Sequence, residues 1–376
     1  MVLFAIAATG SGMDRIIAET PSVSPAAGGV PALFADASLR RAAAIELAAG
    51  RFPAAAQLAR RATIRSPLEP ASTALLGAAW LGEGRIAAAD SAFRVSGQLG
   101  WRDTVTQTYW MQVALLGGDY AVAAQRLDAM LRREPAQAGR PELLAPFESS
   151  AAGRAMLVGR LAQRPGWLPV YFNPTGVLGP AQLAQRAQVA ALLSKDTPLG
   201  CGGISPLVRR LITEDAVTPA HDLWQQHCAP ARGAIISDPD LTGGLGNDPS
   251  PFGWQKHSDG SIRLRSAGRG GGLVLENTAP FTRNFARQML VLPSGSYRLS
   301  WRAVGADGRV SNRIEALSAC SAQGALPLAA RRASDTRMSG VLRITGACEG
   351  QFLIFRITPG AGELEFGSIR LDPMER

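Results

Sequence analysis

Two kinds of side chain recur together between Phe252 and Arg313. They are aromatic rings (Phe252, Trp254, Phe281, Phe285, Tyr297, Trp301) and planar polar groups (Arg283, Asn284, Arg287, Arg302, Asn312, Arg313). Rings stack on the apolar faces of sugars, and planar polar groups hydrogen-bond hydroxyls in pairs, so the combination is the chemistry of carbohydrate recognition. Trp254 falls in a Gly/Pro-rich loop rather than a predicted strand, which makes it the first candidate, and Phe252, Arg283 and Asn312 complete the candidate ligand set. The competing reading of Trp254 is a plug at the end of a core, the commonest use of an aromatic ring.

Asp238, Asp240 and Asp248 stand among glycines in SDPDLTGGLGNDP and can present oxygens to a structural calcium, although their spacing is not that of an EF-hand. Turns made by Asp-Pro and Asn-Asp account for the same residues without a metal. The run Gly268 to Gly272 lacks a G-K-[ST] ending and precedes a strand, so it reads as a hairpin loop rather than a phosphate cradle. For catalysis the inventory is thin: the sequence contains neither G-x-S-x-G nor H-E-x-x-H, and its histidines are His221, His227 and His257. His221 and His227 do not share a helix face. Glu363 and Glu365 share one face of a strand, as exposed strand residues do. A glycosidase needs two carboxylates facing each other from separate elements, which the sequence does not pair. The expectation is a protein that is not an enzyme.

The 376 residues are long enough for two cores, and 46% apolar content with 18% charge describes a globular chain. A net charge of +9 invites a nucleic-acid reading, but 37 of the 39 basic residues are arginines spread over the whole length. Without clustering there is no phosphate-tracking stripe, and no nucleic-acid partner is expected. Attraction to acidic polysaccharide or anionic headgroups stays open.

The cysteines form two separated pairs, Cys201 with Cys228 and Cys320 with Cys348, and no C-x-x-C occurs. An even count in this layout suits disulfides in an oxidising compartment, with buried free thiols as the alternative. The apolar run Val2 to Ala8 is too short to span a bilayer and has no basic residue ahead of it. It reads as the tail of an export or anchor segment that begins upstream of Met1, which would place the protein in the periplasm or anchored in the inner membrane facing it.

The elements that carry these residues divide into helical and strand regions. Gly50, Gly84 and Gly118 are spaced 34 apart, as are Phe52, Ile86, Tyr120 and Ala55, Ala89, Ala123. Helices are predicted over 37–49, 53–65, 75–81, 86–95, 104–116 and 120–133. In this register glycine makes the turn, alanine lets helices approach, and the aromatic fills the wedge. The pattern resembles tetratricopeptide repeats: Gly50, Phe52, Ala55, Ala62 and Pro67 match in the first unit, Leu76, Gly77, Trp80, Gly84, Ala89 and Phe93 in the second, and Gly118, Tyr120, Ala123 and Pro135 in the third. Ala42, Ala43 and Trp101 depart from it. The resemblance implies a superhelix whose concave face binds a protein partner.

Beyond Pro135 helices are predicted over 141–164, 179–194 and 205–226, the last a hairpin bent at Thr213 to Val217, with a Cys201–Cys228 bridge closing the solenoid. After Pro230 the composition turns to Gly, Ser and Pro, and eight strands are predicted over 262–265, 273–277, 285–292, 295–304, 312–319, 338–345, 352–358 and 364–372, an antiparallel jelly-roll sandwich. Phe252-Gly253-Trp254, the run Gln288 to Leu299 and the strand Leu364 to Ile369 resemble carbohydrate-binding modules, which implies glycan binding by fold analogy.

The expected domains are an apolar stub and linker (1–36), a helical-repeat domain (37–230, regular over 37–135 and degenerate over 136–230) and an all-β jelly roll (231–376). The expected role is a non-catalytic envelope scaffold in assembly or export of an extracellular polysaccharide, with the repeats holding a protein and the sandwich a glycan or subunit. The alternatives are a polysaccharide-modifying enzyme and a pure protein–protein adaptor. Sequencing the genomic DNA upstream of Met1 should reveal an in-frame basic and apolar export segment; an in-frame stop directly upstream would refute the late-start reading.

Overall fold

The computed structural model describes residues 35–173, 178–193, 198–228, 235–243, 245–246, 250–268, 271–320, 324–346 and 348–374. The stub Val2 to Ala8, Asp248 and Arg269-Gly270 of the glycine run lie outside the described residues. The chain divides into two compact units, Met1–Tyr171 and Phe172–Arg376.

The first unit is built of helical hairpins: α1 (Asp36–Ala48) with α2 (Phe52–Arg65), α3 (Pro70–Gly82) with α4 (Ile86–Leu99), and α5 (Thr104–Leu116) with α6 (Tyr120–Arg133). Their three turns are the same structure. Gly50, Gly84 and Gly118 adopt φ of +71°, +75° and +73°, the left-handed conformation that a Cβ disfavours. The next amide in each turn donates back across five residues: Arg51 to Glu46 (2.9 Å), Arg85 to Trp80 (2.9 Å) and Asp119 to Ala114 (2.8 Å). This ending satisfies orphan carbonyls of the first helix and reverses the chain. Asp103 and Asp119 accept from the amides of Thr106 and Val122, capping α5 and α6.

Ala55, Ala89 and Ala123 are all buried where the second helix of each hairpin crosses its neighbours. A Cβ on Gly77 would stand 3.1 Å from the Phe93 ring, so the small residue makes room for the large one. The Phe52 ring lies against Gly82, and Tyr120 meets Phe147 edge-on at 6.4 Å. Ile86, at the equivalent position of the middle hairpin, is exposed instead.

The helix predicted over 141–164 is two helices, α7 (Pro141–Glu148) and α8 (Ala151–Leu161). Ser150 interrupts it because its hydroxyl accepts from the Gly153 amide at 2.9 Å and starts a new helix there. The segment Pro165 to Pro169 carries Trp167 into the interior, where its indole N–H donates to Asp128 at 2.9 Å, ahead of the single turn α9 (Leu168–Tyr171).

Among its described residues the second unit holds α10 (Pro180–Leu192), α11 (Gly200–Thr213) and α12 (Val217–His227) together with eleven strands. Sequence patterning grouped these helices with the repeats. In the structure α12 packs on the sheets: the Thr218 amide donates to Glu349 at 3.0 Å, and His221 meets Phe252 edge-on at 5.2 Å. The α11–α12 bend reproduces the glycine turns with an aspartate, Asp215 at φ +59°, and Ala216 donates to Leu211 at 2.9 Å. Cys201–Cys228 ties the start of α11 to the end of α12, and Cys320–Cys348 ties the end of one strand to the loop before another. Two disulfides belong to an oxidising environment. No described helix is long and apolar enough to cross a membrane.

All eight predicted strands are present, with three short additions at sheet edges. The strands are β1 (Gln255–Lys256), β2 (Ile262–Ser266), β3 (Leu273–Asn277), β4 (Arg283–Leu290), β5 (Gly295–Gly305), β6 (Ile314–Cys320), β7 (Leu326–Pro327), β8 (Ala330–Arg332), β9 (Arg337–Ile344), β10 (Gln351–Ile357) and β11 (Leu364–Pro373). They form two antiparallel sheets, β1-β4-β10-β6-β7 and β2-β3-β11-β5-β9-β8. Alternating burial along β5 and β10 sends Leu299, Trp301, Ala303, Leu353, Phe355 and Ile357 into one shared core.

The turn geometry yields a stability test. No atom outside the chain neighbours lies within 4 Å of a Cβ added at Gly84, so a substitution there strains only the backbone. Gly84→Ala should lower stability by about 1–2 kcal/mol in urea titrations, and Gly84→Asn by less, because asparagine tolerates the left-handed region.

Candidate functional site

The outer face of the five-stranded sheet is shaped by one irregularity in β4. Opposite β10, Ala286 faces Phe355 and Asn284 faces Arg356, leaving Phe285 as an extra residue. Phe285 and Ala286 are consecutive, yet both belong to the sandwich core. This is the two-against-one geometry of a β-bulge, which lets neighbouring side chains point the same way. Strict alternation would set Arg283, Phe285 and Arg287 on one face; the bulge instead buries Phe285 and turns Asn284 and Arg287 outward together.

A row of paired residues crosses this face. Gln255 on β1 pairs with Arg287, which pairs with Ile354 on β10, which pairs with Leu317 on β6. Arg287 is held on two sides. Its Nε donates to Gln255 Oε1 at 2.7 Å, and its guanidinium carbon lies 5.2 Å from the centre of the Phe352 ring. In the next row Arg356 donates to Glu315 at 2.6 Å. Toward Met289 the face meets α12: a Cβ on Gly350 would stand 2.7 Å from Val217 and 3.4 Å from the Met289 sulfur.

Over β1 and β4 lies an open cavity of about 620 Å³ lined by residues that include Gln255, Phe281, Arg283, Asn284, Arg287 and Ile354. The Phe281 ring is 55% exposed at its rim, with the Arg283 guanidinium 5.4 Å from its centre. Arg283 is ion-paired with Asp259, which also lies 3.2 Å from His257 Nε2. The Ser261 hydroxyl above all, then the amides of Ile262 and Ser261, hold the Asp259 carboxyl far below the usual aspartate range. The depressed value means that Asp259 is ionised wherever an ordinary aspartate, near about 3.9, is charged, and the partner of Arg283 is lost only in stronger acid.

The candidate residues separate. Arg283 lines the cavity; Asn312 is exposed in the turn before β6 and does not line it. Trp254 is 1% exposed, its indole N–H donates to the Asp238 carbonyl at 3.2 Å, and its ring lies 5.9 Å from Phe355. Phe252 is 6% exposed under His221. Trp254 presents no face to a sugar and is a core plug, because the loop folds inward over the end of the sandwich; Phe252 stays outside that core and lines a separate small cavity of about 210 Å³ with His221 and Met289. Phe281, named in the sequence only as an available ring, is the exposed one. Gln255, Phe352 and Ile354 carried no sequence signal as a group, since only strand pairing aligns them.

Two of the three calcium candidates, Asp238 and Asp240, have protein partners. Asp238 accepts from the Thr242 amide and hydroxyl and from the Gly243 amide, each at 2.8 Å. Asp240 is ion-paired with Arg370 at 3.1 Å. Among the described residues no three of His, Cys, Asp or Glu are grouped to hold a metal ion. Glu365 pairs with Arg302 at 2.8 Å and Glu363 with Arg265. His227 is buried, accepting at Nδ1 from the Leu199 amide (3.4 Å) with Nε2 3.1 Å from the Ala190 carbonyl.

The chain matches no protein-family model and no curated protein. Over its C-terminal region it is similar to two solved carbohydrate-binding modules. One, of the CBM4 type, is 16% identical over 37% of this chain and 99% of the module, with a TM-score of 0.28. The other, a CBM61 module in complex with β-1,4-galactotriose, is 13% identical over 37% of this chain and 98% of the module, with a TM-score of 0.26. A tailspike protein of bacteriophage CBA120 is 11% identical over 40% of this chain and 23% of its own length, with a TM-score of 0.25.

Burial assigns Trp254 a stability role. Trp254→Ala should lower the unfolding free energy by about 3–5 kcal/mol, read by chemical denaturation followed through tryptophan fluorescence.

Proposed function

We propose that this protein is a non-catalytic glycan-binding scaffold in which the outer face of β1, β4 and β10 receives a carbohydrate chain. The observation that carries this reading is the open cavity whose lining includes the exposed Phe281 ring and planar polar groups on Arg287, Asn284 and Gln255. A ring offers an apolar surface for the C–H face of a pyranose, and the planar groups match vicinal hydroxyls. The groups sit on paired strands, so they are pre-organised and little ordering entropy is lost on binding. No Asp or Glu is among the described residues lining the cavity.

In the same reading the helical hairpins are a protein-binding scaffold of the tetratricopeptide kind. Their turns recur at a 34-residue spacing, and they leave apolar side chains such as Leu116, Leu68 and Ile64 exposed. The two disulfides fit an exported, envelope-located protein engaged with an extracellular polysaccharide.

Affinity electrophoresis of the full chain through gels containing a panel of neutral and acidic polysaccharides should show retardation in at least one gel. Phe281→Ala should weaken that binding about three- to tenfold, the worth of one stacked ring, with an unchanged melting temperature. Free migration in every gel would refute the glycan reading, as would binding that Phe281→Ala and Arg287→Ala leave untouched.

A further inference from the structure

The charge and geometry of the same cavity narrow its ligand. Its lining includes three cations, Lys256, Arg283 and Arg287, and no carboxylate. Asp259 offsets the charge of Arg283. Arg287 is arranged differently. Gln255, the group its Nε reaches, is neutral, and its guanidinium plane is steadied by the Phe352 ring. No described residue accepts from its two Nη groups, the half of the fork that pairs with a planar anion. A guanidinium fixed through Nε and presented through Nη is a receptor for the two oxygens of a carboxylate.

From this we infer that the sugar chain bound on this face is acidic, a polysaccharide bearing uronate carboxylates, with one carboxylate paired to Arg287 while Phe281 stacks on a pyranose ring; this rests on the glycan reading above. Nucleic acid does not suit the site, because a duplex demands an extended basic track, whereas here Arg356 is neutralised by Glu315 in the row beside Arg287. The pairing also accounts for Gln255 in place of an acidic residue: a carboxylate there would neutralise Arg287 and repel the ligand, whereas an amide oxygen orients the arginine without neutralising it.

The test is calorimetric titration of the full chain with oligogalacturonate, oligomannuronate and glucuronoxylan fragments, each beside its carboxyl-reduced neutral counterpart, and with a sulfated neutral oligosaccharide. At least one uronate should bind about tenfold or more tightly than its reduced form, the worth of one charge-assisted pair, and its affinity should fall as salt rises. Arg287→Gln should bring the uronate to the level of the neutral form with the melting temperature retained, and Arg287→Lys should recover only part of the difference because the fork is lost. Equal affinity for uronate and reduced forms would overturn the acidic assignment and leave the glycan reading standing. Equal affinity for the sulfated and uronate chains would overturn the carboxylate assignment in favour of oxyanions in general. Binding of none of the chains would overturn both readings.

Discussion

The sandwich depends on the contacts of one ring. Phe355, in the middle of β10, lies 4.7 Å from Phe366 on β11, 5.6 Å from Trp301 on β5, 5.9 Å from Trp254 and 6.5 Å from Phe285 on β4. These five side chains come from both sheets and from the loop that enters them, so a single buried cluster sets the distance between the sheets and closes one end. Aromatic clusters of this kind combine large buried area with preferred tilted and edge-on geometries, which resist sliding. The register of β4 against β10 follows, because Phe285 must reach the cluster.

That requirement generates the site. With Phe285 and Ala286 both drawn inward, β4 carries a bulge, and the residues on either side of it, Asn284 and Arg287, emerge together on the outer face. The polar face is thus a by-product of core packing that the sequence exploits with an amide and a guanidinium. Edge strand β1 then supplies Gln255 opposite Arg287, and the Phe352 ring steadies the guanidinium from β10. An arginine held on a strand by two neighbours loses less freedom on binding than one on a mobile loop, so ligand recognition and sheet register are set by the same packing.

The helical hairpins obey a more local rule. A left-handed residue after each first helix sends the chain back, and glycine supplies it at three places 34 residues apart while Asp215 supplies it at a fourth in the second unit. Because the turn is dictated by a backbone angle available chiefly to glycine, asparagine and aspartate, its position shows in the sequence. Helix ends decided by capping are harder to see: Ser150 looks like any helix-tolerated serine until its hydroxyl is found on the Gly153 amide.

The sequence by itself determined the glycine turns, the buried alanines, the six regular helices and the eight principal strands, since each follows from a local period or a turn residue; it left the four cysteines open between two disulfides and free thiols, and the structure pairs Cys201 with Cys228 and Cys320 with Cys348. Only the tertiary structure decided which aromatic rings are core and which are surface. Trp254 and Phe281 both lie outside the strands, and one is buried while the other is half-exposed because of how their loops fold over the sandwich. It alone also decided that Gln255, Asn284, Arg287 and Ile354 share one face. Strand pairing between residues as far apart as Gln255 and Arg287 or Arg287 and Ile354, and a bulge that breaks alternation, leave no local trace, because the driving force is the burial of distant rings and not the preference of the residues that end up side by side.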